Sequence, residues 1–195
     1  MKAYYHARAA EYDNWWLGRG RFTAYDRRGW DEELAELAGR LGELPPARTL
    51  DVACGTGFIT RHLSGEIVGL DQSEAMIEIA RERVPHATFV VADALALPFA
   101  DRSFDRLFSS YFYCHLEEPE RQRFLEESRR VASELVIVGS VGAPGDLVER
   151  WEERVLDDGS RWQVFKRVFD PPQLAEELGG EIIHAGRWFV AVRSP

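Results

Sequence analysis

An α/β fold is what this sequence predicts, on three observations. Short apolar runs alternate with helical stretches through the middle of the chain. One of those runs leads straight into the turn Ala53-Cys54-Gly55-Thr56-Gly57, and the chain closes on two strand-like runs flanking Ala185-Gly186. Strands that are apolar throughout belong to a parallel sheet buried on both faces, with the intervening helices as outer layers. A chain of 195 residues holds one sizeable core and is too short for two, so a single domain over 1–195 is expected.

Residues 1–30 carry Tyr4, Tyr5, Tyr12, Trp15, Trp16, Phe22, Tyr25 and Trp30, too many large apolar side chains for a disordered tail. Leu34, Leu37, Ala38 and Leu41 then keep helical spacing until Pro45-Pro46 breaks the chain. Residues 1–46 are thus expected as a helical lid or cap. The core, 47–140, starts with a strand at Thr49–Ala53, a helical stretch from Gly57 and a strand at Glu66–Leu70. Ser73 caps a helix with Met76, Ile79 and Ala80 on one side, ended by Pro85. Strands at Ala87–Ala92 and Arg106–Ser110, a helix at Glu120–Val131 and a strand at Glu134–Gly139 complete it. Residues 141–195 are expected as a substrate-side segment and terminal hairpin. They comprise a helix around Leu147–Val155, a turn at Asp157-Asp158-Gly159, a strand at Trp162–Val168, a helix capped by Asp170 and stopped by Gly179-Gly180, and strands Glu181–His184 and Arg187–Arg193.

Composition narrows the function. With 33 acidic against 24 basic residues the net charge is -9, which repels a phosphate backbone, so no nucleic-acid partner is expected. The two cysteines, Cys54 and Cys114, form no Cys-x-x-Cys pair or zinc-type cluster, so neither a disulfide framework nor a metal site is expected. There is no basic region followed by an apolar run at the start, nor anything near the roughly 18 apolar residues of a membrane span; a cytoplasmic protein without a membrane partner is expected.

A strand entering Ala-Cys-Gly-Thr-Gly and then a helix is a nucleotide-binding turn, because glycines let backbone approach the ligand and a helix N-terminus faces it. The third glycine of a dinucleotide turn would fall at Thr60 or Phe58, which weakens a nicotinamide reading. Asp71 ends the second strand, where a carboxylate can accept both hydroxyls of a ribose, and Asp93 ends the third, where one can accept from an adenine amine.

Leu50-Asp51-Val52-Ala53-Cys54-Gly55-Thr56-Gly57, Gly69-Leu70-Asp71-Gln72-Ser73, Ala92-Asp93-Ala94-Leu95 and Leu97-Pro98-Phe99 together resemble the class I S-adenosylmethionine-dependent methyltransferases, in the branch with quinone-biosynthesis and related small-molecule enzymes. The resemblance spans most of 47–140. It implies a Rossmann-like three-layer sandwich with a mostly parallel seven-stranded sheet ending in an antiparallel hairpin, and S-adenosylmethionine as cofactor. It also implies that Ala53, Gly55 and Gly57 lie along the methionine portion, Asp71 at the ribose, Asp93 at the adenine amine, and Ala94 and Leu95 beside the ring, with Cys54 and Gln72 among the cofactor-binding residues. By the same resemblance Asp51 orients the turn, with a water-mediated contact to the cofactor amine; Ser109 faces the cofactor; and Tyr12, of Tyr12-Asp13, touches its carboxylate. Ala53 departs from the pattern, since many members have glycine there.

Ser109-Ser110-Tyr111-Phe112-Tyr113-Cys114-His115 should open onto the transferred methyl, because ligands bind outside the carboxyl ends of the strands. It is not the Asn/Asp-Pro-Pro-Tyr motif of amino-directed DNA methyltransferases, and two cysteines do not suffice to hold arsenic. His115 is the candidate general base, with a capping or structural histidine as its alternative. Tyr111 is a second candidate; if strand geometry continued, it would share a face with Tyr113. Methyl transfer from a sulfonium demands alignment and water exclusion more than acid or base strength. The expected function is methyl transfer to a small-molecule acceptor by a monomer or homodimer. The alternatives are a non-catalytic or regulatory S-adenosylmethionine-binding protein and, behind it, an NAD-dependent oxidoreductase.

Overall fold

A computed structural model describes residues 1–142 and 148–195. Its centre is a seven-stranded sheet made from β1 (Ala47–Val52), β2 (Gly65–Asp71), β3 (Thr88–Val91), β4 (Phe104–Ser110), β5 (Ala132–Ser140), β8 (Glu181–Ala185) and β9 (Phe189–Ser194), while β6 (Glu149–Val155) and β7 (Arg161–Arg167) pair as a separate antiparallel ribbon. The sheet order is β3-β2-β1-β4-β5-β9-β8, with β1 to β5 parallel and β9 antiparallel to both neighbours. Strand order reverses between β1 and β4, and a crevice opens there beyond the carboxyl ends. The apolar runs seen in the sequence account for the core: Leu50, Val52, Leu70, Leu107, Phe108, Val136, Ile137 and Val192 are all buried.

Helices flank this sheet. α4 (Glu74–Arg83) packs on β2 and β3, α5 (Glu118–Val131) on β4 and β5, and α6 (Pro171–Leu178) and α3 (Trp30–Gly42) on β8 and β9. The Ser73 hydroxyl accepts from the Met76 amide and Asp170 accepts from the Gln173 amide, satisfying N–H groups that have no partner within the helix. In α4 the buried side chains are Met76, Ile77 and Ala80, so Ile77 takes the place expected for Ile79.

Two elements differ from expectation. The stretch after the glycine turn makes one 3₁₀ turn, Thr60–His62, and no α-helix. Gly55 and Gly57 both adopt left-handed backbone, Phe58 and Ile59 turn inward to the core, and β2 begins at Gly65, so too little chain remains for a helix. The segment expected as a helix around Leu147–Val155 is instead strand β6 from Glu149; Leu147 itself lies outside the described residues. Its side chains find their partner across the ribbon, where Trp151 faces Phe165 and Arg154 faces Trp162.

The aromatic N-terminus divides its burial. Short helices α1 (Lys2–Arg8) and α2 (Asn14–Leu17) precede α3. Trp16 and Trp30 enter the main core, Trp16 stacking on Phe58 at 5.1 Å between ring centres. Tyr4 joins Leu156 and Val164 of the ribbon in a small separate cluster. Thr56 donates to Asp13 at 2.6 Å, and Arg83 of α4 pairs with Asp13 while donating to the Thr56 carbonyl and hydroxyl, tying this segment to the glycine turn.

Candidate functional site

The glycine turn sits at the carboxyl end of β1. Ala53, Gly55 and Gly57 have φ of 58°, 55° and 72°, so successive residues reverse the backbone and form a concave rim. Ala53 is left-handed although it carries a Cβ, which locates the departure noted in the sequence at a position glycine would fill without strain. Gly57 is set against α4: a Cβ there would lie 3.4 Å from Ala80 Cα, so this glycine serves packing and lines no cavity. Cys54 turns its side chain toward Ile77 and Phe89, away from the main cleft.

Above the rim lies a cleft of about 230 Å³. Ala53, Gly55, Asp71, Gln72, Asp93, Ala94 and Leu95 line it from the strand ends, and Tyr5, Tyr12, Ser110, Tyr111 and Phe112 from the opposite side. Asp71 is buried and accepts from the Gly55 amide at 3.0 Å and the Ser73 amide at 2.8 Å. Burial raises its pKa and those amide bonds pull it down. A carboxylate has about four acceptor positions, so with the Gln72 amide also directed at it Asp71 keeps acceptor capacity for a ligand hydroxyl. Asp93 is exposed and accepts from the Leu95 amide at 2.9 Å, which fixes the loop around the cleft wall.

Asp51 lies behind the turn, 1 % exposed. Its Oδ2 accepts the Thr60 hydroxyl at 2.6 Å and its Oδ1 has no partner. Burial pushes its carboxyl up to about 7, against the Thr60 bond and helped by the charge of Asp71. A small hollow lined by Tyr12, Asp51, Ala53, Cys54 and Ser110 leads from Asp51 to the main cleft.

A second cavity, of about 640 Å³, shares the walls Tyr5, Tyr12 and Tyr111 with the first. Its other walls include Arg8, Trp15, Trp30, His115 and Lys166. Tyr111 ends β4 in left-handed backbone, φ 57°, so strand alternation stops there. It therefore does not share a face with Tyr113. Tyr111 lies between the cavities, whereas Tyr113 is buried, stacks on Phe169 and donates to Glu177. The Tyr111 hydroxyl has no hydrogen-bond partner of good geometry, and burial drives its pKa far up, so it remains a donor. Phe165 of β7 accepts from His115 Nδ1 at 2.6 Å; a carbonyl can only accept, so Nε2 carries the lone pair. Burial and then the charge of Lys166 push His115 down to about 3.

Of the residues singled out in the sequence, the structure gathers Tyr12, Ala53, Gly55, Asp71, Gln72, Asp93, Ala94, Leu95 and Tyr111 around the first cleft, and His115 around the second. Ser109 does not join them. It is fully buried and donates to the Val52 carbonyl at 2.9 Å, and the next residue, Ser110, reaches the cleft because it stands at the open tip of β4. Sequence reasoning missed Tyr5 and Lys166. Tyr5 was one of many N-terminal aromatics, and Lys166 sits in a ribbon whose pairing has no local signature.

Asp51 Oδ1, the Ser110 hydroxyl and the Tyr111 hydroxyl are all buried without partners, and all border the linked hollows. Buried polar atoms without partners are rare in folded proteins, and three bordering one set of cavities mark a place built for a ligand. With the carboxylates of Asp71 and Asp93 at the strand ends, they offer the acceptors and donors that the charged and hydroxyl groups of S-adenosylmethionine require.

Residues 49–134 match the family model described as a methyltransferase domain. A demethylmenaquinone methyltransferase of Thermotoga maritima is 40% identical over 107 residues, covering 52% of this chain and 44% of that protein. The O-methyltransferase cnsE of Penicillium expansum is 29% identical over 168 residues, 80% of this chain and 57% of that one. The chain thus spans less than two thirds of these curated relatives. Among solved structures, a DhpI-SAM-HEP complex superposes with a TM-score of 0.73 at 25% identity, covering 99% of this chain and 95% of that one, and a DhpI-SAH complex with 0.70 at 26%, covering 98% and 92%. Residues 49–134 thus form a methyltransferase domain, and the sheet order, the glycine turn and these likenesses are those of the class I S-adenosylmethionine-dependent methyltransferases.

Proposed function

We propose that this protein transfers the methyl group of S-adenosylmethionine to a small molecule seated in the second cavity. The observation that carries this is the shared wall: Tyr5, Tyr12 and Tyr111 stand between a nucleoside-sized cleft above the glycine turn and a roomier aromatic cavity. When bound, the cofactor supplies an electrophilic methyl on a sulfonium. In this proposal Ala53, Gly55 and Asp51 hold its amino-acid portion, Tyr12 touches its carboxylate, Asp71 and Gln72 hold the ribose, and Asp93, Ala94 and Leu95 the adenine; Gly57 and Cys54 shape the turn. Residues 1–46 act as the lid that excludes water and completes the acceptor site, through Tyr5, Tyr12 and Trp15.

His115 contributes as a neutral hydrogen-bond acceptor through Nε2. With its pKa near 3 it is too weak a base to remove a proton from an alcohol efficiently, so its part is to orient an acceptor or receive a proton from an already acidic one. Tyr111 supplies an O–H donor at the junction. The size of the second cavity supports catalysis over a purely regulatory binding role. The net charge of -9 supports a small molecule over nucleic acid, and the proposal takes the protein as cytoplasmic, a monomer or homodimer. Among the described residues no helix is long and apolar enough to cross a membrane.

The test combines calorimetric titration of S-adenosylmethionine and its demethylated product with a screen of small metabolites for uptake of isotope-labelled methyl. Cofactor binding with transfer to one compound class is expected. Tight binding with no transfer across the screen would favour the regulatory role, and absence of cofactor binding would overturn the proposal.

A further inference from the structure

Lys166 of β7 is 8% exposed, and its ammonium donates to the Ser140 hydroxyl at 2.9 Å and to Cys114 Sγ at 3.4 Å while lying 5.1 Å from the centre of the Tyr111 ring. Among the described residues no carboxylate lies within ion-pair distance of it. A buried ammonium without a counter-ion is costly, and the usual resolutions are a carboxylate partner or a bound anion.

The rest of the second cavity carries the same imbalance. Its acids are already engaged: Asp26 by Arg28, Glu152 by Arg150 and Arg154, and Glu153 by Arg161. Among the described residues Arg8 meets the Tyr4 hydroxyl and the faces of Tyr4 and Tyr12 and no carboxylate within ion-pair distance. Arg27 donates to the Trp16 carbonyl and lies over the Trp30 ring, with no carboxylate within ion-pair distance among the described residues. Of the five cations bordering this aromatic-walled space, Lys166, Arg8 and Arg27 thus have no carboxylate within ion-pair distance among the described residues, although the chain as a whole is acidic.

Resting on the methyl-transfer proposal above, we infer that the acceptor is an organic oxyanion, a carboxylate or a phosphate-type anion on an aromatic or apolar body, with Lys166 as its buried counter-ion and Arg8 and Arg27 as outer cations. Lys166 has one N–H left after Ser140 and Cys114, and that donor is the one assigned to the anion. The neutral His115 leaves the cationic field uncancelled and accepts any remaining acceptor hydroxyl.

Matched pairs test the inference: benzoate against benzamide, and phenyl phosphate against phenol, each titrated into protein saturated with S-adenosylhomocysteine. The anion of each pair should bind at least about tenfold more tightly, with affinity falling as salt is raised. The carboxylate and phosphate arms show which oxyanion suits the site. Lys166→Met should abolish the preference, Lys166→Arg should retain part of it, and both should keep wild-type affinity for S-adenosylhomocysteine. Removal of an uncompensated buried charge should also raise the melting temperature of the ligand-free Lys166→Met protein. Equal binding of anion and amide, or a preference that survives in Lys166→Met, would overturn the inference while leaving the cofactor reading intact. Failure of wild type to bind S-adenosylhomocysteine would overturn the reading beneath it. If Lys166→Met does not fold, the matched-pair ratio and salt dependence of the wild type decide.

Discussion

Cofactor affinity should depend on pH through Asp51. This carboxyl is buried, has one hydrogen bond at Oδ2 and none at Oδ1, and is pushed up to about 7 by burial. Only its ionised form pairs with a cofactor ammonium, so at pH 6 most of the protein must lose a proton before that pairing forms. Between pH 6 and pH 8 the ionised fraction rises from about one tenth to about nine tenths, so apparent affinity should rise by about tenfold and then level off. Without ligand the sign is opposite. The folded pKa exceeds the unfolded value of about 4, so the folded state holds more protons between about pH 4 and pH 7, and stability falls as pH rises through that window. The assay is calorimetric titration of S-adenosylhomocysteine across roughly pH 5.5 to 8.5 for wild type and Asp51→Asn, which should lose most of the slope and about tenfold in affinity at pH 8. A flat wild-type profile, or the full slope persisting in Asp51→Asn, would refute the reasoning.

Three other outcomes follow from the same geometry. Asp71→Asn should weaken cofactor binding by roughly 1.5–3 kcal/mol, since one acceptor oxygen becomes a donor facing amides and hydroxyls; unchanged affinity in a folded variant removes Asp71 from the site. Ala53→Gly should leave stability in denaturant unchanged or up to about 1 kcal/mol higher, because relief of roughly 1–2 kcal/mol of left-handed strain is partly offset by glycine's unfolded-state entropy; a clear loss would show that the Ala53 methyl packs usefully. Deleting residues 1–13 should leave a cooperatively folding chain that binds cofactor weakly and transfers no methyl, since Tyr5 and Tyr12 go while Trp16 stays. Trp16→Ala, by contrast, should cost about 3–5 kcal/mol, and equal effects of the two changes would deny the division between lid and core.

The βα order was legible because the buried strands are short, mainly apolar runs, Ser73 and Asp170 mark the starts of α4 and α6 by capping, and α5 shows its helical spacing although it starts at Glu118, two residues before the expected Glu120. The placing of Asp71 and Asp93 beside one cleft was legible for a related reason: strand ends and the turn before them are local features, and parallel pairing carries both to one edge. The helix expected after Gly57 failed because two left-handed glycines and two inward apolar residues consumed the connection, a tertiary demand that overrode local pattern. Ser109 failed at the level of one residue, since which of two neighbouring serines reaches the cleft depends on where β4 ends.

The sequence by itself determined the sheet, the nucleotide-type turn and the family, because periodicity, capping and glycine placement act over a few residues. Only the tertiary structure decided the second cavity. Tyr5 from α1, Tyr111 from the end of β4, and Lys166 from a ribbon pairing distant segments meet there, and contacts between elements so far apart in the chain leave no periodic trace in any one of them.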